Sequence, residues 1–147
     1  MSHDGPPVDL AASVGYRLKQ ASSALHVAME AVLRPLGMNI TQYSCLELLA
    51  QRPGLSNADL ARGAFVTRQS MNVLLQALER DGSVTKASVA PVGRALPVEL
   101  TPLGRERLAA ASAAVRAVEE RMRAGLDQAE VSQLAELLDR CVEGLQG

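Results

Sequence analysis

Aromatic side chains are almost missing from this chain: its 147 residues include two tyrosines, Tyr16 and Tyr43, one phenylalanine, Phe65, and no tryptophan. With 48% of residues apolar, a core must be assembled from Leu, Val, Ala and Met, a palette that favours packed helices. Cysteine is equally scarce. Cys45 and Cys141 are too few and too far apart for a disulfide framework, and no C-x-x-C pair offers zinc-ligand spacing. The two histidines, His3 and His26, have no clustered acids beside them, so neither a metal site nor a cofactor is expected. No run approaches the roughly 20 apolar residues of a membrane span. A glycine-rich phosphate loop, a G-x-S-x-G turn and a His-Cys or His-Ser pairing with local motif support are all lacking, which leaves enzyme chemistry with the least support. Charge of one sign is also lacking: the formal net charge of -1 excludes an indiscriminate polycation.

What charge there is lies unevenly. Thr67 to Arg94 carries four basic residues (Arg68, Arg80, Lys86, Arg94) against two acids, a local balance of +2, whereas Asp127 to the end carries five acids against Arg140, a balance of -4. A length of 147 residues suits one domain that can bury its own core. Met1 to Asp9 is Gly/Pro-rich and polar, without a basic region followed by an apolar run, and reads as a disordered arm. A cytoplasmic protein is the expectation.

Ser56 begins the most informative stretch. Its hydroxyl can cap a helix while Asp59 reaches back, a short-armed capping box, and Leu60, Ala61 and Ala64 supply that helix's buried side. Gly63 and Ala64-Phe65-Val66 bring the chain round to Thr67, the N-cap of a second helix running to about Asp81 and stopping at Gly82. Residues of a helix advance by about 100° each, so Arg68, Gln69, Asn72 and Gln76 share one arc while Met71, Leu74 and Leu78 lie nearly opposite. The first arc has the chemistry of base reading: Arg pairs bidentately with guanine, Asn or Gln with adenine, in the major groove. An ordinary amide-rich solvated face is the plainer alternative.

A hairpin follows. Ser83 to Val89 reads as one strand, Pro91-Val92-Gly93 as the turn, and Arg94 to Leu100 as the return, with Val98 and Leu100 alternating with Glu99 at the period of a half-buried strand. Pro97 belongs at an edge or bulge, since it cannot donate to a ladder. Arg94 falls near the tip, where a guanidinium can enter the minor groove or hold a phosphate; a solvated loop arginine is the alternative. The fold class is therefore mainly α with a small β element (α+β), a winged helix-turn-helix with flanking dimerisation helices.

Those flanking helices come from two further regions. Val14, Leu18, Ala21, Leu25, Ala28 and Val32 form a stripe on a helix starting near Leu10 and ending before Pro35. Beyond the hairpin, Thr101-Pro102 starts a helix striped by Leu108, Ala111, Val115, Val118 and Met122, and Asp127 with Glu130 starts another striped by Val131, Leu134, Leu138, Cys141 and Leu145. A reading module spanning 41–101 does not need these to fold. Residues 10–36 and 102–147 are thus expected to pair two copies of a single 10–147 domain about a two-fold axis, setting two reading helices roughly 34 Å apart; a purely intramolecular bundle is the alternative.

The order and spacing of Thr41-Gln42-Tyr43, Asn57-Ala58-Asp59-Leu60-Ala61, Thr67-Arg68-Gln69-Ser70-Met71, Leu78-Glu79-Arg80-Asp81-Gly82 and Leu100-Thr101-Pro102-Leu103-Gly104 resemble the MarR family of bacterial transcriptional regulators over nearly the whole chain. The family usually has Asp-x-Arg in the wing. Here Val92 stands in the acid's place and Arg94 in the arginine's, and Lys86 stands where an arginine is common. The resemblance implies a homodimeric repressor released from a palindromic operator by a small ligand or an oxidant acting between the dimer helices and the reading head. Double-stranded DNA, a second copy of the chain and a small aromatic or anionic effector are the expected partners. Arg68, Gln69, Ser70, Asn72 and Gln76 would lie in the major groove, Thr67 would hold phosphate at the helix N-terminus, Lys86 would meet the backbone and Arg94 would sit at the wing. By residue type and rough place, Tyr16, His26, Tyr43 and Arg52 are candidates for the effector pocket and Cys45 for redox sensing, with inert packing the favoured reading of both cysteines. A winged-helix module that binds another protein instead of DNA is the rival.

Overall fold

The computed structural model describes residues 5–87 and 97–147. A turn at Asp9 to Ala12 leads into α1 (Val14–Leu33), whose N-cap Ser13 accepts from the Tyr16 N–H. The helix begins four residues after the expected Leu10 because Asp9, a second cap-forming residue, spends its carboxylate on the Ala11 N–H at 3.1 Å and holds a turn there. Pro35 ends α1 as expected. A 3-10 turn, Arg34–Leu36, closes on Gly37 at φ 71°, a left-handed conformation that favours glycine.

Asn39 and Gln42 then form a reciprocal capping box that starts α2 (Ile40–Gln51). Ser56 and Asp59 do the same for α3 (Asn57–Gly63), and Thr67 caps α4 (Arg68–Arg80). Between α3 and α4 the Phe65 and Val66 N–H groups return to the Arg62 and Ala61 carbonyls, so Phe65 takes the left-handed position, φ 59°, that closes a helix end. Its ring is 94% exposed. Gly82 closes α4 in the same manner at φ 84°, with the Ser83 N–H bonded to the Leu78 carbonyl.

Strand β1 (Val84–Lys86) pairs antiparallel with β2 (Val98–Leu100), matching Val84 to Leu100 and Lys86 to Val98. Val98 and Leu100 are buried and Glu99 is exposed, the alternation their sequence predicts. Pro97 sits just before β2, where its carbonyl accepts from the Ala87 N–H at 2.7 Å. The sequence placed Ser83 in the strand; it lies just ahead of β1 and is fully buried. Thr101 caps α5 (Pro102–Arg123), and its hydroxyl donates to the Ser83 carbonyl at 3.1 Å. Gly104 in the first turn of α5 lies so close to the Ser83 carbonyl that no Cβ fits there.

One core joins these elements. Leu33, Cys45, Leu46, Leu60, Met71, Leu75, Leu78, Val84, Val98, Leu100, Leu108 and Ala111 are buried together. Leu75, unlisted by the helical arc read from sequence, is buried, and Leu74 is half-buried at the margin. By contrast α6 (Gln128–Gln146), opened by an Asp127–Glu130 capping box, has no buried residue at all. Leu134, Leu137, Leu138, Val142 and Leu145 along it are exposed, as are Val14, Leu18 and Val27 on α1 and Met122 on α5. The α6 stripe is therefore bare in the single chain, whereas Leu108, Ala111 and Val118 of the α5 stripe are buried within it and Leu25, Ala28 and Val32 of α1 are half-buried. Among the described residues no helix is long and apolar enough to cross a membrane.

Candidate nucleic-acid interface

Helix α4 is anchored by Met71, Leu75 and Leu78 and turns its other side outward. Arg68, Gln69, Ser70, Asn72 and Gln76 are all exposed. Arg68, Asn72 and Gln76 line one groove together with Asn57 and Asp59 of α3, Glu79 of α4, Lys86 at the end of β1, and Pro97 and Val98 at the start of the return strand. The structure thus brings Arg68, Asn72, Gln76 and Lys86 together. Gln69 and Ser70 are exposed beside this groove without lining it. Arg94 and Val92 lie outside the described residues.

Capping fixes the chemistry at the N-terminus of α4. The Thr67 hydroxyl oxygen accepts from the Ser70 N–H at 3.0 Å, and its proton goes to the Ser70 hydroxyl at 2.9 Å. Thr67 is therefore committed to the helix. The groups it leaves for an anion are the Arg68 and Gln69 backbone N–H groups and the Ser70 hydroxyl proton.

Two acids share the groove, and one of them is occupied. Asp59 accepts from the Ser56 hydroxyl at 2.9 Å and forms an ion pair with Arg62. Hydrogen bonds from the Ser56 side chain and backbone, followed by the Arg62 charge, hold its carboxyl below the usual range. Its negative charge is thereby tied to α3, which reduces its opposition to a polyanion. An interhelical contact that sequence reasoning missed crosses the same groove: Asn57 Nδ2 donates to Asn72 Oδ1 at 2.5 Å. Fifteen residues separate the two, and no local pattern signals the pairing.

The four residues considered for an effector pocket do not meet. Tyr16 lines a shallow groove with Lys19, Ser23 and Val27 of α1 and Arg121 of α5. His26 faces Glu30 one turn along α1 at 3.3 Å. Arg52 is the exposed C-cap of α2. Tyr43 is half-buried, and its hydroxyl donates to Glu47 at 2.6 Å. Burial first, then the Glu47 carboxylate, pushes the Tyr43 phenol up to about 12. Ser112 of α5 and Gln51 donate to the same carboxylate, both at 2.9 Å.

Cys45 does not fit a redox sensor. Its sulfur is enclosed in the core, and burial pushes the thiol up to about 12, so the reactive thiolate is suppressed. Cys141, expected in apolar packing, is exposed on α6 in the single chain. Among the described residues no group of three or more His, Cys, Asp or Glu side chains is placed to hold a metal ion.

Known proteins share this fold. The MarR family profile matches residues 36–95. The sequence is 39% identical over 129 residues to the HTH-type transcriptional repressor Rv2887 of Mycobacterium tuberculosis, covering 88% of this chain and 93% of that protein. The crystal structure of the Mycobacterium tuberculosis MarR family protein Rv2887 in complex with DNA has a TM-score of 0.72 at 36% identity, covering 88% of this chain and 98% of that one. The complex of the same protein with salicylic acid also gives 0.72, at 37% identity, covering 94% and 98%. A relative this similar over nearly its full length settles the grouping: the chain belongs to the MarR family of transcriptional regulators.

Proposed function

We propose that this chain is a homodimeric, DNA-binding repressor that reads a palindromic operator with α4 and leaves it when a small aromatic acid binds. The observation that carries the reading is the groove in which Arg68, Asn72, Gln76 and Lys86 converge: one guanidinium, two amides and an ammonium on an exposed helix face and the adjoining strand. That set matches the edge of a base pair flanked by phosphates. Resident chemistry is binding, with no catalytic step, and the place of action is the cytoplasm.

Dimerisation is supported by α6, a 19-residue helix with no buried residue and a row of exposed leucines. Pairing these rows with those of α1 and the end of α5 buries them and fixes the distance between two α4 helices. On this reading 41–101 is the reading lobe, and 10–36 and 102–147 are the dimerisation helices. The effector class is supported by the salicylic acid complex of the relative. An effector that binds the non-reading arrangement more tightly must by linkage bind less well to the DNA complex, by the same factor.

The test combines sedimentation of the purified chain with gel shifts on the intergenic DNA upstream of its own gene, with and without salicylate. A dimer that retards a palindromic duplex and releases it with salicylate is the expected result. A lone subunit with no preference for any palindrome overturns the proposal.

A further inference from the structure

We propose that Asn57 determines which base Asn72 reads; the inference rests on the DNA-reading role assigned to α4 above. Asn72 sits in the middle of the exposed arc, between Arg68 and Gln76, and all three line the groove with Asn57. Taken alone, an asparagine there offers one acceptor oxygen and two N–H donors. It would pair bidentately with adenine, taking the N6 proton on Oδ1 and giving one to N7.

Asn72 does not stand alone. Asn57, the first residue of α3, donates from Nδ2 to Asn72 Oδ1 at 2.5 Å. The bond ties the Asn72 amide plane to a neighbouring helix and engages its only acceptor atom. With the Asn72 carbonyl turned toward Asn57 and one of its two lone pairs taken, the wholly free group of Asn72 is its NH2, so this side chain presents chiefly donors to the groove. Donors match the guanine O6 and N7 acceptors and leave the adenine N6 donor without a partner. Asn57 is accordingly a positioning residue, acting through the amide of Asn72. Its own first-turn position on α3 needs no particular side chain, since Ser56 and Asp59 complete the cap.

Selection of binding sites from a randomised duplex pool tests this with the full chain, Asn57→Ala, Asn57→Asp and Asn72→Ala. The intact protein is expected to prefer guanine over adenine roughly tenfold at one position of each half-site. Asn57→Ala frees the carbonyl and brings adenine close to guanine at that position. Asn57→Asp goes further: a carboxylate only accepts, so Asn72 must turn its NH2 toward it, face its carbonyl outward and reverse the preference to adenine. Asn72→Ala removes the preference at that position while those read by Arg68 and Gln76 persist. The proposal is overturned if both Asn57 variants select the same base as the intact chain. Uniform weakening at every position, the mark of a merely structural residue, also overturns it. If the intact chain selects no sequence and Arg68→Ala changes nothing, the DNA-reading role falls and this inference falls with it, an outcome distinct from the first two.

Discussion

Ser112 on α5 donates its hydroxyl proton to the Glu47 carboxylate on α2 at 2.9 Å, joining residues 65 apart in sequence. Tyr43 and Gln51 donate to the same carboxylate, so Glu47 gathers three hydrogen bonds at the seam between α2 and α5. Burial alone would raise the Glu47 carboxyl. The hydrogen bonds, followed by the charge of Arg116, outweigh it and hold the carboxyl below its ordinary value of 4.5. A depressed carboxyl stabilises the fold fully above that ordinary value, and the contribution fades as pH falls through 4.5 and below. Urea unfolding across this range is expected to show a shallower acid decline for Glu47→Gln than for the parent chain. At neutral pH, Glu47→Ala leaves half-buried hydroxyls without an acceptor and costs about 1–3 kcal/mol.

Phe65 holds a left-handed backbone while burying almost nothing. Non-glycine residues carry a cost of about 1–2 kcal/mol in that conformation, offset partly by the greater unfolded-state freedom of glycine. Phe65→Gly should therefore raise the unfolding free energy, by up to about 1 kcal/mol. A loss of stability in denaturant melts would show instead that the exposed ring is held by a contact beyond the single chain.

Cys45 should be silent toward thiol reagents and peroxide. Titration of native protein with a chromogenic disulfide is expected to leave Cys45 unmodified and to label it once the chain is unfolded. Rapid labelling of Cys45 in the folded protein would contradict its burial.

Arg68 and Lys86 line the same groove but should behave differently. Arg68→Ala is expected to cost about 1–3 kcal/mol on the selected operator and little on random duplex, because its fork matches a guanine edge. Lys86→Ala should weaken all duplexes alike and flatten the salt dependence by about one unit. Binding isotherms at several salt concentrations separate the two.

Sequence alone made the helix-turn-helix legible because its signals are local. Ser56, Thr67, Thr101 and Asp127 announce their helices by cap chemistry, and Gly82 announces an end. The first helix was harder to place, since Asp9 and Ser13 are both competent caps and Asp9 closes a local turn instead of starting the helix. The Glu47 cluster and the Asn57–Asn72 pair were illegible because each joins side chains that only the finished packing brings together. The apolar stripe of α6 lies on a helix as its spacing predicts, and no residue of it is buried in the single chain.

That helix has a consequence for the protein at low abundance. A 19-residue helix with no buried face is marginal in water, even with its Asp127–Glu130 cap. If a second copy supplies the missing cover, order in the C-terminal segment rises and falls with the number of molecules present. The melting temperature would then climb with protein concentration. In a sparsely stocked cell, structural integrity and occupancy of the operator would be set by one and the same association equilibrium.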